Sequence, residues 1–259
     1  MRDIKTNVVW KHLETSKKRI IIEQGGSRSG KTYNILMWIV FGYCLRNKNK
    51  IISICRKTFP ALRTSALRDF LEILKNHELY KEEDHNKTSS EYKLNGNLIE
   101  FISLDSPTKV RGRKRDLLFI NEASELYWED WNQLVFRTIG RIILDYNPSY
   151  EFHWIYDKVK TRDDADFFKT TYKNNKFLEE SIIKEIERLQ YTDENYWRIY
   201  GLGEIGQSKS TIFDFREIET IPENAKFISL GMDFGFSNDP SVLCKIYLHD
   251  TNIYCEELF

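Results

Sequence analysis

The stretch "RIIIEQGGSRSGKTYNILMWIVFGYCL", Arg19 to Leu45, decides how the rest of the chain folds. Ile20 to Ile22 predict a buried strand, because adjacent isoleucines stay out of water only when both faces of a strand are covered. Gly25, four residues, and then Gly30-Lys31-Thr32 follow. In that spacing a glycine-rich turn aims backbone N–H groups at phosphate oxygens, the lysine reaches the β- and γ-phosphates, and the hydroxyl reaches a magnesium ion. The apolar run after Thr32 predicts a helix to about Arg46, whose N-terminal partial charge also favours an anion. Gly25, Gly26, Ser27, Arg28, Ser29, Gly30, Lys31 and Thr32 are therefore the candidate nucleotide-binding residues, with ATP and magnesium as the implied cofactors. A glycine-serine surface turn would not need a lysine and a threonine at those two places.

Working outward, "IISIC" (Ile51 to Cys55) predicts the next buried strand and so a βαβ start. Leu62, Ala66, Phe70 and Leu74, four apart, mark an amphipathic helix with Pro60 in its first turn. Asn95-Gly96 between two alternating runs predicts a hairpin at the sheet edge. "DLLFINEASEL" and "RIILDYNPS" read as further strands, with Ser149 as an N-cap for "YEFHWIYDKVK", and "FFKTTY" closes the set. Helices are expected from Leu178 to Gln190 and from Thr192 to Tyr200. The fold class is α/β: a P-loop, RecA-like three-layer domain with a mostly parallel sheet over residues 1–200. A glycine-rich linker over 201–225 and a β-meander over 226–259 follow.

The 259 residues carry 39 basic and 39 acidic side chains, so the net charge is zero. Any contact with nucleic acid must then come from a local basic patch and not from a global field. Four cysteines without metal or redox spacing, Cys44, Cys55, Cys244 and Cys255, read as buried thiols of a reducing compartment. The longest apolar stretch is too short for a bilayer and the polar start has no signal-peptide core, so a soluble intracellular chain is expected.

Hydrolysis needs carboxylates at the ends of strands near the loop. Glu122, after four apolar residues of "LLFINE", is the candidate general base; the plain alternative is a helix-start glutamate serving the helix dipole. Asn121 stands where an aspartate is usual, and an amide can hydrogen-bond a magnesium-bound water but supplies no charge. Asp145 emerges at the same sheet edge if its strand lies beside that of Glu122, whereas Asp116 belongs at the far end. Thr32, Asn121 and Asp145 are thus the candidate magnesium residues, with a turn-forming role for Asp145 before Asn147-Pro148 as the alternative.

The loop "GGSRSGKT", the segment "RKTFPALRTSALRDF", "VRG" before "LLFINEAS", the strand followed by "NP", and the helix into "YGLGE" together resemble the large terminase subunit of tailed bacteriophages. The resemblance implies an ATPase that packages double-stranded DNA into a preformed capsid, followed by an RNase H-like nuclease domain that cuts concatemers. By position it makes Arg28 a phosphate-touching arginine, Arg111 a finger acting in trans, and Asn147 with Pro148 the turn that couples hydrolysis to domain movement. "LGMDFGFSNDPSVL" resembles the first nuclease strand, with Asp233 as a first metal ligand and Asp239 as a turn residue. The implied partners are double-stranded DNA, a small terminase subunit, the portal protein and further copies in a ring, in the host cytoplasm and without a membrane.

For DNA, "KVRGRKR" gathers Lys109, Arg111, Arg113, Lys114 and Arg115. Such density points to phosphate contact, of nucleotide or DNA, with a solvated turn as the alternative. The tryptophans read as core or interface anchors. A helicase or recombination ATPase shares the loop and Glu122 but predicts strand separation and no nuclease downstream. A slow nucleotide-dependent switch is made thinkable by Asn121.

Overall fold

The computed structural model describes residues 4–105, 114–207, 216, 218–234 and 241–258. The chain divides into two compact units, Met1–Ser208 and Lys209–Phe259.

In the first unit, the isoleucine run forms β1 (Ile20–Gly25), buried along its whole length. The strands β2 (Ile51–Arg56), β3 (His85–Asn86), β4 (Glu91–Leu94), β5 (Asn97–Ser103), β6 (Arg115–Ile120), β7 (Thr138–Tyr146) and β8 (Ala165–Thr170) complete one sheet. Its order is β3-β4-β5-β2-β6-β7-β1-β8. All pairings from β5 to β8 are parallel; the hairpin β4–β5, turned by Asn95-Gly96, and the short β3 make an antiparallel edge. One strand, β7, therefore separates the loop strand β1 from the glutamate strand β6.

Two apolar clusters cover the two faces. One joins Ile21, Ile54, Phe119 and Ile143 to α1 (Val8–Thr15), α2 (Lys31–Met37) and the helical segment α3 (Phe59–Leu62) to α4 (Arg68–Asn76). The other joins Ile20, Ile22, Leu118, Ile120 and Leu144 to α5 (Trp128–Val135) and the turn Ile155–Val159. Burial on both faces is why these strands lack polar alternation. Helix α2 does not stop at Met37 but widens into π geometry over Trp38–Cys44, and α6 (Glu180–Thr192) leads into a last π turn at Trp197–Gly201.

Three local expectations change. Ser149 caps nothing: its N–H donates to Asn147 O, and helical structure begins at Trp154 with His153 before it. The glycine-rich texture from Gly201 is not all linker, since Tyr200 to Gly206 is hydrogen-bonded into the first unit. Of the four thiols, Cys44 and Cys55 are buried, but Cys255 is exposed on an edge strand. That strand belongs to the second unit, an antiparallel three-stranded sheet of β9 (Lys226–Asp233), β10 (Val242–His249) and β11 (Asn252–Glu257) in the order β11-β10-β9. No helix among the described residues is long and apolar enough to cross a membrane.

Candidate nucleotide-binding site

The loop leaves β1 at the carboxyl edge of the sheet and enters α2 through Gly30, whose φ of 81° is left-handed backbone that side chains with a Cβ adopt at a cost. Lys31 Nζ donates to Gly25 O and Gly26 O, each at 3.0 Å, and to Asn147 Oδ1 at 3.0 Å. One ammonium thus ties the loop's first turn to the Asn147-Pro148 turn beyond β7. Burial pulls the lysine below its ordinary range, with Asp145, Glu122 and Glu23 opposing.

Beside it, Thr32 Oγ1 donates to Asp145 Oδ2 at 2.5 Å. Asp145 Oδ1 accepts from Asn121 Nδ2 at 3.0 Å and from the Glu122 backbone N–H at 2.9 Å. Parallel register makes this possible, because Ile120 pairs with Leu144 and the next residue of each strand reaches the same edge. Three donors hold the carboxylate, yet full burial still raises its pKa. Glu122 follows with φ 52° and ψ 55°, a left-handed corner where β6 stops. Burial first, and the neighbouring Asp145 charge second, push the Glu122 carboxyl up to about 7.

Opposite, Arg56 at the end of β2 grips Glu125 with two nitrogens, at 2.6 and 3.0 Å, and donates to Ser65 Oγ at 3.1 Å. Behind the loop, Glu23 is wholly buried and meets His12 Nδ1 at 3.0 Å. Its burial raises the carboxyl pKa, with His12 opposing. Two remote asparagines brace the loop's outside: Asn7 Nδ2 donates to Ser29 O at 3.0 Å and Asn175 Nδ2 to Arg28 O at 2.9 Å. From Gly30 a cavity of about 490 Å³ opens between Lys5, Tyr33, Asn34, Asn76, Asn175 and Phe177.

The family model described as phage terminase large subunit matches residues 17–204, the span that builds this site. The chain belongs to the phage terminase large subunit family. It is 24% identical over 258 residues to the PBSX phage terminase large subunit of Bacillus subtilis strain 168, covering 86% of this chain and 59% of that one. It is 25% identical over 260 residues to the terminase large subunit of Bacillus phage SPP1, covering 90% and 61%. The fold matches the large terminase of a thermophilic bacteriophage at TM-score 0.68, with 19% identity over 98% of this chain and 69% of that one. The same thermophilic phage protein in complex with ADP matches at 0.65. The chain thus spans about three fifths of the length of the curated relatives it matches.

In this terminase-family chain, Lys31, Thr32, Asn121, Glu122, Asp145 and Asn147 come together at one sheet edge. Asn121, expected at the magnesium, turns its amide N–H and not its oxygen toward Asp145, since a buried carboxylate demands donors. Arg28 is exposed on the outside of the loop. Arg111 lies outside the described residues, as do Lys109, Arg113 and Asp239. Arg115 leaves the proposed basic patch: it is 1% exposed, at the start of a strand covered on both faces, where the β6–β7 pairing is irregular between Arg115 and Leu117. Asp233 ends β9 and is exposed, and among the described residues no three metal-type ligands gather. Sequence reasoning missed Asn7, Arg56, Glu125 and Asn175 as parts of the site. Each is an ordinary polar residue in its local pattern, and only the paired distances reveal it.

Proposed function

We propose that this chain is the ATP-hydrolysing part of a phage DNA-packaging motor, with Lys31 on the β- and γ-phosphates and Glu122 as the base that takes a proton from the attacking water. The observation that carries the reading is the Thr32–Asp145 hydrogen bond directly beside Glu122, a carboxyl whose pKa of about 7 suits reversible proton transfer. The residues fit a magnesium ion, since the Thr32 hydroxyl and the Asp145 carboxylate are hard oxygen donors side by side. When bound, that ion neutralises charge on the transferring phosphoryl group. Asn121 then acts on Asp145 and not as a ligand itself. The cavity beside Gly30 suits the nucleoside, with Tyr33 and Phe177 offering ring faces and Asn76 and Asn175 polar groups. That a thermophilic phage large terminase of the same fold has been solved in complex with ADP supports nucleotide binding by this fold.

The rest follows the family. Double-stranded DNA, a small terminase subunit, a portal protein and further copies in a ring are the proposed partners, with Arg111 acting in trans. The unit Lys209–Phe259 is proposed as the opening strands of an RNase H-like nuclease, with Asp233 as one metal ligand; a working centre needs further carboxylates. Phosphate release with and without double-stranded DNA and portal tests the motor reading. DNA-stimulated turnover without strand separation supports it; strand separation favours a helicase, and slow, unstimulated turnover favours a switch. Mixing Arg111→Ala chains with Glu122→Gln chains tests the finger: activity above the sum of the two places Arg111 in trans.

A further inference from the structure

The helical segment beginning at Phe59 carries its apolar anchors four residues apart, and Leu62, Ala66, Phe70 and Leu74 are all fully buried. Residues four apart advance about 40° around an α-helix at each step, so a long row of them drifts off the sheet. Between α3 and α4 the segment widens into a π turn, Arg63–Leu67, which lets the row stay on the sheet. Such turns are rare and recur at functional sites. Here the turn carries Ser65 to the carboxyl edge of β6.

The Ser65 hydroxyl has one proton and two acceptors, Ala61 O at 2.7 Å and Asn121 Oδ1 at 3.3 Å. It accepts from Arg56 Nη1 at 3.1 Å, and Arg56 is itself fixed by both oxygens of Glu125. The other end of the Asn121 amide donates to Asp145 Oδ1 at 3.0 Å and to Thr32 Oγ1 at 3.3 Å. A flipped amide would set its carbonyl against the Asp145 carboxylate, with like partial charges in a buried place. A chain of polar contacts therefore runs from Arg56 through Ser65, whose proton is shared between Ala61 O and the longer contact to Asn121 Oδ1, and on to the loop threonine and its aspartate.

We propose that Ser65 is a positioning residue for hydrolysis: its hydroxyl holds Asn121 with the N–H end toward Asp145 and Thr32. This rests on the ATPase reading above. It also ties the helix that carries Ser65 to the hydrolytic site.

The test is single-turnover and steady-state ATP hydrolysis by the chain carrying Ser65→Ala, Ser65→Thr, Asn121→Ala or Ser65→Ala with Asn121→Ala, each checked by thermal melting. Ser65→Ala is expected to lower kcat about three- to tenfold, the worth of one hydrogen bond, with KM for ATP unchanged. Ser65→Thr keeps the hydroxyl and returns kcat to within about twofold of the parent. In the Asn121→Ala background Ser65→Ala then changes nothing more, because its effect passes through the missing amide. An unchanged kcat for Ser65→Ala, or an equal loss in both backgrounds, overturns the proposal. Lys31→Ala in the same assay separates the two claims. If it hydrolyses as the parent does, the ATPase reading itself fails; if it is inactive while Ser65→Ala matches the parent, only the role of Ser65 fails.

Discussion

Asp145 Oδ2 lies 2.5 Å from Thr32 Oγ1, so the acidic partner of the loop threonine comes from β7 and not from the strand that carries Glu122. β7 lies between β1 and β6 and is closer to the loop. An aspartate there reaches Thr32 directly, and position 121 is left for a neutral group that donates to it. Two carboxylates at 121 and 145 would face each other at about hydrogen-bond distance inside the protein, which leaves one of them protonated.

Asn121→Asp is therefore expected to weaken magnesium-dependent nucleotide binding, although it restores the residue usual at that place. Asp145→Asn removes the charge itself and weakens binding more. Titrating magnesium against a fluorescent ATP analogue ranks the two; a gain in magnesium affinity for Asn121→Asp would count against the paired arrangement.

Lys31→Ala removes the buried cation that faces Asp145, Glu122 and Glu23, and is expected to abolish hydrolysis and most nucleotide binding. Glu122→Gln keeps shape and backbone donor, so binding persists while turnover falls by about 10² or more. Binding and phosphate release on the same preparations check both, and parent-like hydrolysis by Glu122→Gln would falsify its role as base.

Stability should depend on pH through Glu122. Its carboxyl sits near 7 in the fold against an ordinary 4.5, so the folded state holds the proton more tightly than the unfolded one. Stability therefore falls as pH climbs from about 4.5 to about 7 and is flat, with respect to this group, on either side. Glu122→Gln removes that loss. In nucleotide-free buffer the variant's Tm should rise relative to the parent as pH climbs across this window. A Tm difference constant with pH means that Glu122 is not shifted.

Gly203 packs against the loop's first turn with φ 65°, and an added Cβ would stand 2.8 Å from Gly26 N and 2.9 Å from Gly25 Cα. Both are backbone atoms, so nothing cheap can give way. Gly203→Ala is expected to cost about 2–3 kcal/mol, from strain and displacement together, and to weaken ATP binding as the loop shifts. Melting and nucleotide titration check it; a parent-like Tm shows that the Tyr200–Gly206 segment is not held on the loop.

The residues around the loop were legible because each obeys a local rule. Three isoleucines in a row need cover on both faces, glycines and a lysine at set spacing need phosphate, and Asn95-Gly96 needs a hairpin. Those rules act within a few residues, so one sequence suffices to apply them. Glu122 and Asp145 were visible as charges ending apolar runs, which are costly unless they face a site.

What the chain's order of residues could not say is who pairs with whom across the sheet. Strand order puts β7 between β1 and β6, which makes Asp145 the partner of Thr32 and turns Asn121 into its donor. The burial of Arg115, the reach of Asn7 and Asn175 to the loop, and the arrival of Ser65 beside Asn121 depend likewise on tertiary packing and on a π turn. These contacts join residues up to 147 positions apart. The sequence alone pointed to the chemistry proposed for the loop, because spacing within a turn is a local matter. Only the tertiary structure decided which carboxylate lies beside the loop's threonine, because a hydrogen bond between strands depends on their order and register.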